Sequence, residues 1–142
     1  LLEHIGDAPS LGLNARFRFY RYQVGDYFKP HTDGSWPGSR AVDGQLQVDA
    51  FGDRWSQLTF VLLLSEDFDG GHTCFYPQGP QGKVIPVRTP LGSALCFPHG
   101  GHPQHYIHAG EKIRRGTKYI IRTELLYART PATEALQRDW IY

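Results

Sequence analysis

The chain has no methionine, only two cysteines and no apolar run close to bilayer length. A membrane-spanning helix needs roughly 18 consecutive apolar residues, so none is expected. No leader with a charged start and an apolar stretch is visible. The chain begins at Leu1, and without a methionine an upstream segment, removed or not shown, is expected. Cys74 and Cys96 are too few for a disulfide framework and read as two reduced core thiols. An excess of either charge is also missing: 15 Lys and Arg against 14 Asp and Glu leave +1. That balance makes no electrostatic case for nucleic acid or a membrane surface as partner. A cytoplasmic or nuclear location is the resulting expectation.

What the chain does have is aromatics (13 %), 16 glycines and 10 prolines in 142 residues. Such a mix suits short strands with frequent turns rather than a helical bundle. The length suits one domain, residues 1–142, with a real core. Residues 1–13 are broken by Gly6, Pro9 and Gly12 and read as coil. RFRFYRY, residues 16–22, alternates charge with aromatic rings, the period of a two-faced strand. Strands are predicted next over 27–33, 56–65, 72–76, 83–88, 93–97, 105–109 and 117–127. Residues 67–71 read as a turn and 110–116 as a basic turn. Pro86 places its strand at an edge or a bulge. Thr130 is placed to cap a terminal helix that has Pro131 in its first turn and runs to about Trp140. Residues 34–55 lack periodicity, and so long a loop is usually functional or disordered. A mobile cover is expected there. Trp36 within it is a candidate substrate contact or an anchor of the loop. Eight or so short strands argue for an all-β core, a double-stranded β-helix (jelly roll), with one minor flanking helix.

Chemistry concentrates in RYQVGDYFKPHTD, residues 21–33. His31 and Asp33 are two apart, the spacing that brings two side chains to one face of an extended strand. An imidazole beside a carboxylate is two-thirds of a metal site, and the third ligand should be a histidine far downstream. The candidates are His72, His99, His102, His105 and His108. His99 and His102 lie among glycines and prolines and read as exposed loop residues. His72 follows a Gly-Gly turn and also reads as surface. His105 and His108 are three apart, so a strand lets only one of them face the metal. Spacing does not choose between them.

Tyr22, Gly25, Phe28, His31 and Asp33, then the turn Gly70-Gly71-His72-Thr73, then His108, Gly110, Gly116 and Lys118 follow in one order. In this the chain resembles the 2-oxoglutarate- and iron(II)-dependent dioxygenases, and among them the prolyl 4-hydroxylase-like branch. The likeness spans roughly residues 16–127. It implies Fe(II) held by His31, Asp33 and His108, three ligands that leave positions open for co-substrate and dioxygen. It implies 2-oxoglutarate with its far carboxylate on Lys118, Tyr22 donating to it and Thr73 lining its pocket. An unpaired carboxylate in an apolar barrel would be costly. The implied activity is hydroxylation of a substrate C–H bond with release of succinate and carbon dioxide, with ascorbate as supporting reductant.

The chain departs from prolyl 4-hydroxylases in three places. Lys112 stands where they commonly have proline, and Tyr119 and Glu124 stand where they often have tryptophan. The expected substrate is therefore open: a peptidyl residue, proline first, a small molecule, or another side chain. A non-catalytic jelly-roll metal-binding module is the alternative of another class. Lys118 argues against it, since a structural metal has no use for a cation ten residues on.

Overall fold

The computed structural model describes residues 2–136. Its strands are β1 His4–Ile5, β2 Ala8–Leu13, β3 Arg18–Tyr22, β4 Phe28–His31, β5 Arg40–Val42, β6 Gln45–Gln47 and β7 Arg54–Leu63. They continue as β8 Phe68–Gly70, β9 Thr73–Tyr76, β10 Ile85–Val87, β11 Ala94–Pro98, β12 Ile107–Gly110, β13 Ile113–Gly116 and β14 Lys118–Ala128. The one helix, α1, is Pro131–Ala135. Thr130 caps it, its hydroxyl accepting from the Thr133 amide, with proline in the first turn. The expected continuation to Trp140 lies outside the described residues.

The larger sheet runs β1-β2-β14-β7-β11, with β3 on the same edge of β14 as β2. The smaller runs β10-β9-β12-β4. All pairings are antiparallel, and the fold is the expected jelly roll. The proline-bearing strands fall where proline does least harm: Pro30 in β4 and Pro86 in β10 sit on the two edges of the smaller sheet.

β7 and β14 are the central pair, running from Ile120 opposite Leu63 to Ala128 opposite Arg54 with one shift of register between Leu125 and Leu126. Their alternation builds two apolar clusters. Leu58, Leu125 and Tyr127 pack with Ala8. Leu63 and Ile120 pack with Phe68 and Ile113, and with Tyr20, Tyr22 and Val61 at the margin.

Four sequence expectations are corrected. Residues 4–13 form two strands rather than coil, because β2 completes the edge of β14 despite its glycine and proline. Residues 68–70 and 113–116 pair with each other as β8 and β13 where turns were expected. Gly116 is at φ +73°, and a side chain there would strike the Asp67 carbonyl, which explains a glycine inside a strand. Residues 34–55 are not an unbroken loop: they hold the β5–β6 hairpin and an isolated bridge from Pro37 to Trp55. Among the described residues, no helix is long and apolar enough to cross a membrane.

Leu125 is 1 % exposed at the centre of its cluster. Leu125→Ala should cost about 2–5 kcal/mol, read as a lower urea midpoint with an unchanged slope.

Candidate metal centre and co-substrate pocket

His31 ends β4, and the adjacent strand β12 places His108 directly opposite it in register. Their rings lie 4.3 Å apart between centroids. Phe28 packs on the His31 ring at 4.2 Å, and Phe97 meets the His108 ring edge-on at 4.7 Å. Each imidazole is fixed from behind. His31 Nδ1 is 2.8 Å from the Lys29 carbonyl, and His108 Nδ1 is 3.1 Å from the Tyr106 carbonyl. A carbonyl only accepts, so both Nδ1 atoms carry the proton and both Nε2 lone pairs are free.

Those Nε2 atoms converge on Asp33, just beyond the end of β4. His31 Nε2 is 3.4 Å from Oδ1 and His108 Nε2 is 3.4 Å from Oδ2. One donor atom from each of the three residues lies within 4.8 Å of the other two. Two neutral imidazoles and a carboxylate, each oriented by a second hydrogen bond, form a donor set that fits Fe(II).

Asp33 is buried, and burial by itself would push its carboxyl up. The charge of Arg122, paired with its Oδ1, outweighs that and holds it below the usual carboxylate range. Arg122, on the inner face of β14, reaches Oδ1 at 2.5 Å. Thr59 of β7 donates to Oδ2 at 2.7 Å. The carboxylate is therefore ionised and gripped on both oxygens.

A cavity opens from this cluster toward Lys118 and is lined also by Tyr22, Thr73 and Ile113. Lys118 starts β14 opposite Tyr22 of β3. Its ammonium donates to the Gly71 carbonyl at 2.6 Å. Burial, then the charge of Arg88, lowers its pKa to about 8, against the weaker pull of Cys74 and Glu111. Gly71, at φ +69°, must be glycine, since a Cβ there would lie 2.6 Å from Ile113 Cδ1. Burial, with Tyr20 beside it, pushes the Tyr22 phenol up to about 12, so its hydroxyl keeps its proton and can donate. Thr73 opens β9 and stands opposite Gly110.

Trp36 is not among the residues lining this cavity. Its ring carries the Arg16 guanidinium at 3.6 Å and its amide is bonded to Ser56, as suits the anchor reading. The structure leaves His105 exposed, its Nδ1 2.6 Å from the His102 carbonyl. His72 is half-buried, with its Nδ1 2.5 Å from a Glu111 carboxylate oxygen. The reading of His99 as an exposed loop residue is overturned: it is 1 % exposed. The neighbouring proline and glycines that suggested surface instead turn the chain back so that the imidazole enters the interior. Sequence reasoning also passed over Thr59 and Arg122. The available signal was their place as polar residues on the inner face of strands that otherwise present Val61, Leu63 and Ile120.

No curated protein matches the chain. Among solved structures, an oxidoreductase of the 2OG-Fe(II) oxygenase family from Burkholderia pseudomallei shares the fold at TM-score 0.53 and 16 % identity, over 80 % of this chain and 42 % of that one. The viral collagen prolyl hydroxylase of Paramecium Bursaria Chlorella virus-1, solved as its 2OG complex, aligns at TM-score 0.46 and 20 % identity, over 82 % and 62 %. The chain thus spans less than two thirds of the length of these relatives. Residues 17–123, which contain every residue of the cluster and the pocket, match the 2OG-Fe(II) oxygenase superfamily, and the chain belongs to that family.

Proposed function

We propose that this chain is a dioxygenase that hydroxylates a C–H bond, with His31, Asp33 and His108 as ligands of Fe(II) and Lys118 as the anchor of 2-oxoglutarate. The observation that carries the reading is one cavity with two free imidazole Nε2 atoms and a carboxylate at one end and a buried ammonium at the other. When bound, Fe(II) with dioxygen and 2-oxoglutarate supplies the oxidising power, yielding succinate, carbon dioxide and a hydroxylated product.

The chain's own residues bind and orient. Two neutral imidazoles and one carboxylate neutralise a single charge of a divalent ion, so the centre stays cationic toward an anionic co-substrate. Lys118 supplies a counter-charge for the distal carboxylate, and losing its hydrogen bond to Gly71 is compensated by that ion pair. Tyr22 donates a hydroxyl proton in hydrogen bonding and Thr73 lines the wall. Phe97, Val61 and Ile120 keep the pocket apolar, which strengthens every charge interaction inside it. No side chain is required as general acid or base. Ascorbate is the expected supporting reductant. The first substrate class is a peptidyl residue, with proline leading and a small molecule or another side chain behind it. A coupled succinate screen of peptides and metabolites separates them.

The purified chain with Fe(II), ascorbate and 2-oxoglutarate should release succinate slowly without substrate, and His31→Ala should bring release to background. Silence from folded, iron-loaded protein would leave a metal-binding module instead.

Lys118→Ala should raise the KM for 2-oxoglutarate at least about tenfold, the equivalent of 1.4 kcal/mol, with iron affinity unchanged. Equal losses of both would indicate misfolding.

A pH effect follows from the same lysine. Below about pH 8 the ammonium is charged and affinity for 2-oxoglutarate should be flat. Above it binding must recapture a proton, so affinity should fall by up to about tenfold per pH unit. The groups facing the ammonium are Arg88, Cys74, Glu111 and Tyr22. Lys118→Arg, which does not titrate in this range, should remove the pH dependence attributable to this position.

A further inference from the structure

The hydrogen bonds behind Asp33 have a single consistent direction. Thr59 Oγ1 lies 2.7 Å from Asp33 Oδ2 and 2.9 Å from His99 Nδ1. His99 Nε2 lies 2.9 Å from Ser56 Oγ, which in turn lies 2.8 Å from the backbone nitrogen of Trp36. Asp33 has its Oδ1 paired with the Arg122 guanidinium at 2.5 Å, so it is a carboxylate and can only accept. Thr59 has one proton, so it gives that proton to Asp33 and accepts from His99 Nδ1. A neutral imidazole protonated on Nδ1 has an acceptor at Nε2, so Ser56 donates to it and accepts the Trp36 amide. The opposite tautomer would turn the Thr59 proton toward Nδ1 and set two oxygen lone pairs against each other at 2.7 Å. His99, Ser56, Thr59 and Asp33 are all buried, so water does not offer an alternative partner. Burial lowers the His99 pKa to about 4, keeping the ring neutral. The neighbouring amide of Gly100 also donates to the Asp33 carbonyl at 3.2 Å, so residues 99 and 100 hold both side chain and main chain of Asp33.

We infer that His99 is a positioning residue of the metal centre: protonated on Nδ1 and acting through Thr59, it holds the Asp33 carboxylate in ligating orientation. The inference rests on Asp33 being a metal ligand. It also ties the loop that begins at Gly34 to the metal, since the far end of the chain of hydrogen bonds is the amide of Trp36. Partners of this kind behind a ligand typically change metal affinity by about 10–100-fold.

The test uses Co(II) binding to the purified chain, followed by its visible absorption, with folding checked by circular dichroism. Thr59→Val and His99→Ala should weaken Co(II) binding about tenfold or more and alter the absorption envelope. Thr59→Ser, which keeps the hydroxyl, and His99→Asn, which offers an amide N–H near the place of Nδ1, should recover most of that loss. A merely space-filling role predicts no such recovery. Folded Thr59→Val that binds Co(II) as tightly as the parent, while His31→Ala does not, overturns the role of His99 and leaves the metal reading standing. Parent protein whose Co(II) affinity ignores both His31→Ala and Thr59→Val overturns the metal centre and the role of His99 with it. A metal-free arm is independent of both: nitrogen-15 NMR should find the His99 proton on Nδ1, and a proton on Nε2 overturns the inference whatever the metal data.

Discussion

A negative charge on Asp33, deep in a mostly apolar barrel, is the constraint around which the other polar contacts are arranged. Moving a carboxylate out of water costs several kcal/mol even after relaxation. The fold offsets that with donors from two strands, Thr59 from β7 and Arg122 from β14, while His31 from β4 and His108 from β12 bring their Nε2 atoms to its two oxygens. Each would be a liability alone. Together they leave a carboxylate that stays ionised and two imidazoles with unshared nitrogen lone pairs aimed at the same point. That is the state in which a divalent cation can be taken up without first displacing protons.

The inner face of β14 repeats the same logic along its length. Lys118, Arg122 and Glu124 share this face, and each meets a partner from elsewhere. Lys118 meets the Gly71 carbonyl and Arg122 meets Asp33. Glu124, fully buried, meets Arg18 of β3 and the Asn14 amide. Burial pushes the Glu124 carboxyl up, against the pull of Arg18, Arg122 and Arg16. The glutamate that departs from the prolyl 4-hydroxylase pattern is thus accommodated by the arginines of RFRFYRY. Departure and compensation belong to one cluster at the end of the barrel away from Lys118. In this way β14 carries a cation at one end, a carboxylate clamp in the middle and a buried ion pair at the other.

Elements with a strong period were legible in the sequence. The apolar run around residues 56–65, the alternation of RFRFYRY and the long stretch from residue 117 emerge as β7, β3 and β14, within two residues at each end. The Thr130 cap and the edge placement of Pro86 were readable for the same reason: local stereochemistry leaves few alternatives. β2, β8 and β13 were hidden, because glycines and charges there speak for turns. Only pairing with a distant partner makes them strands, and Gly116 is a glycine because its backbone is left-handed and leaves no space for a side chain.

By itself the sequence named the candidate donors: a His-x-Asp pair, a later histidine and a lysine ten residues beyond it, in an order that spacing and resemblance could read. It could not choose between His105 and His108 from spacing, place Arg122 on the carboxylate, or bring His99 inside. Those are decided by register between strands far apart in the chain and by where a loop returns to the core. The physical reason is range. Side-chain type and local backbone preference are written residue by residue. Which lone pair faces which proton is set by packing across the sheets, and there a surface-looking histidine becomes the fixed point behind a buried carboxylate.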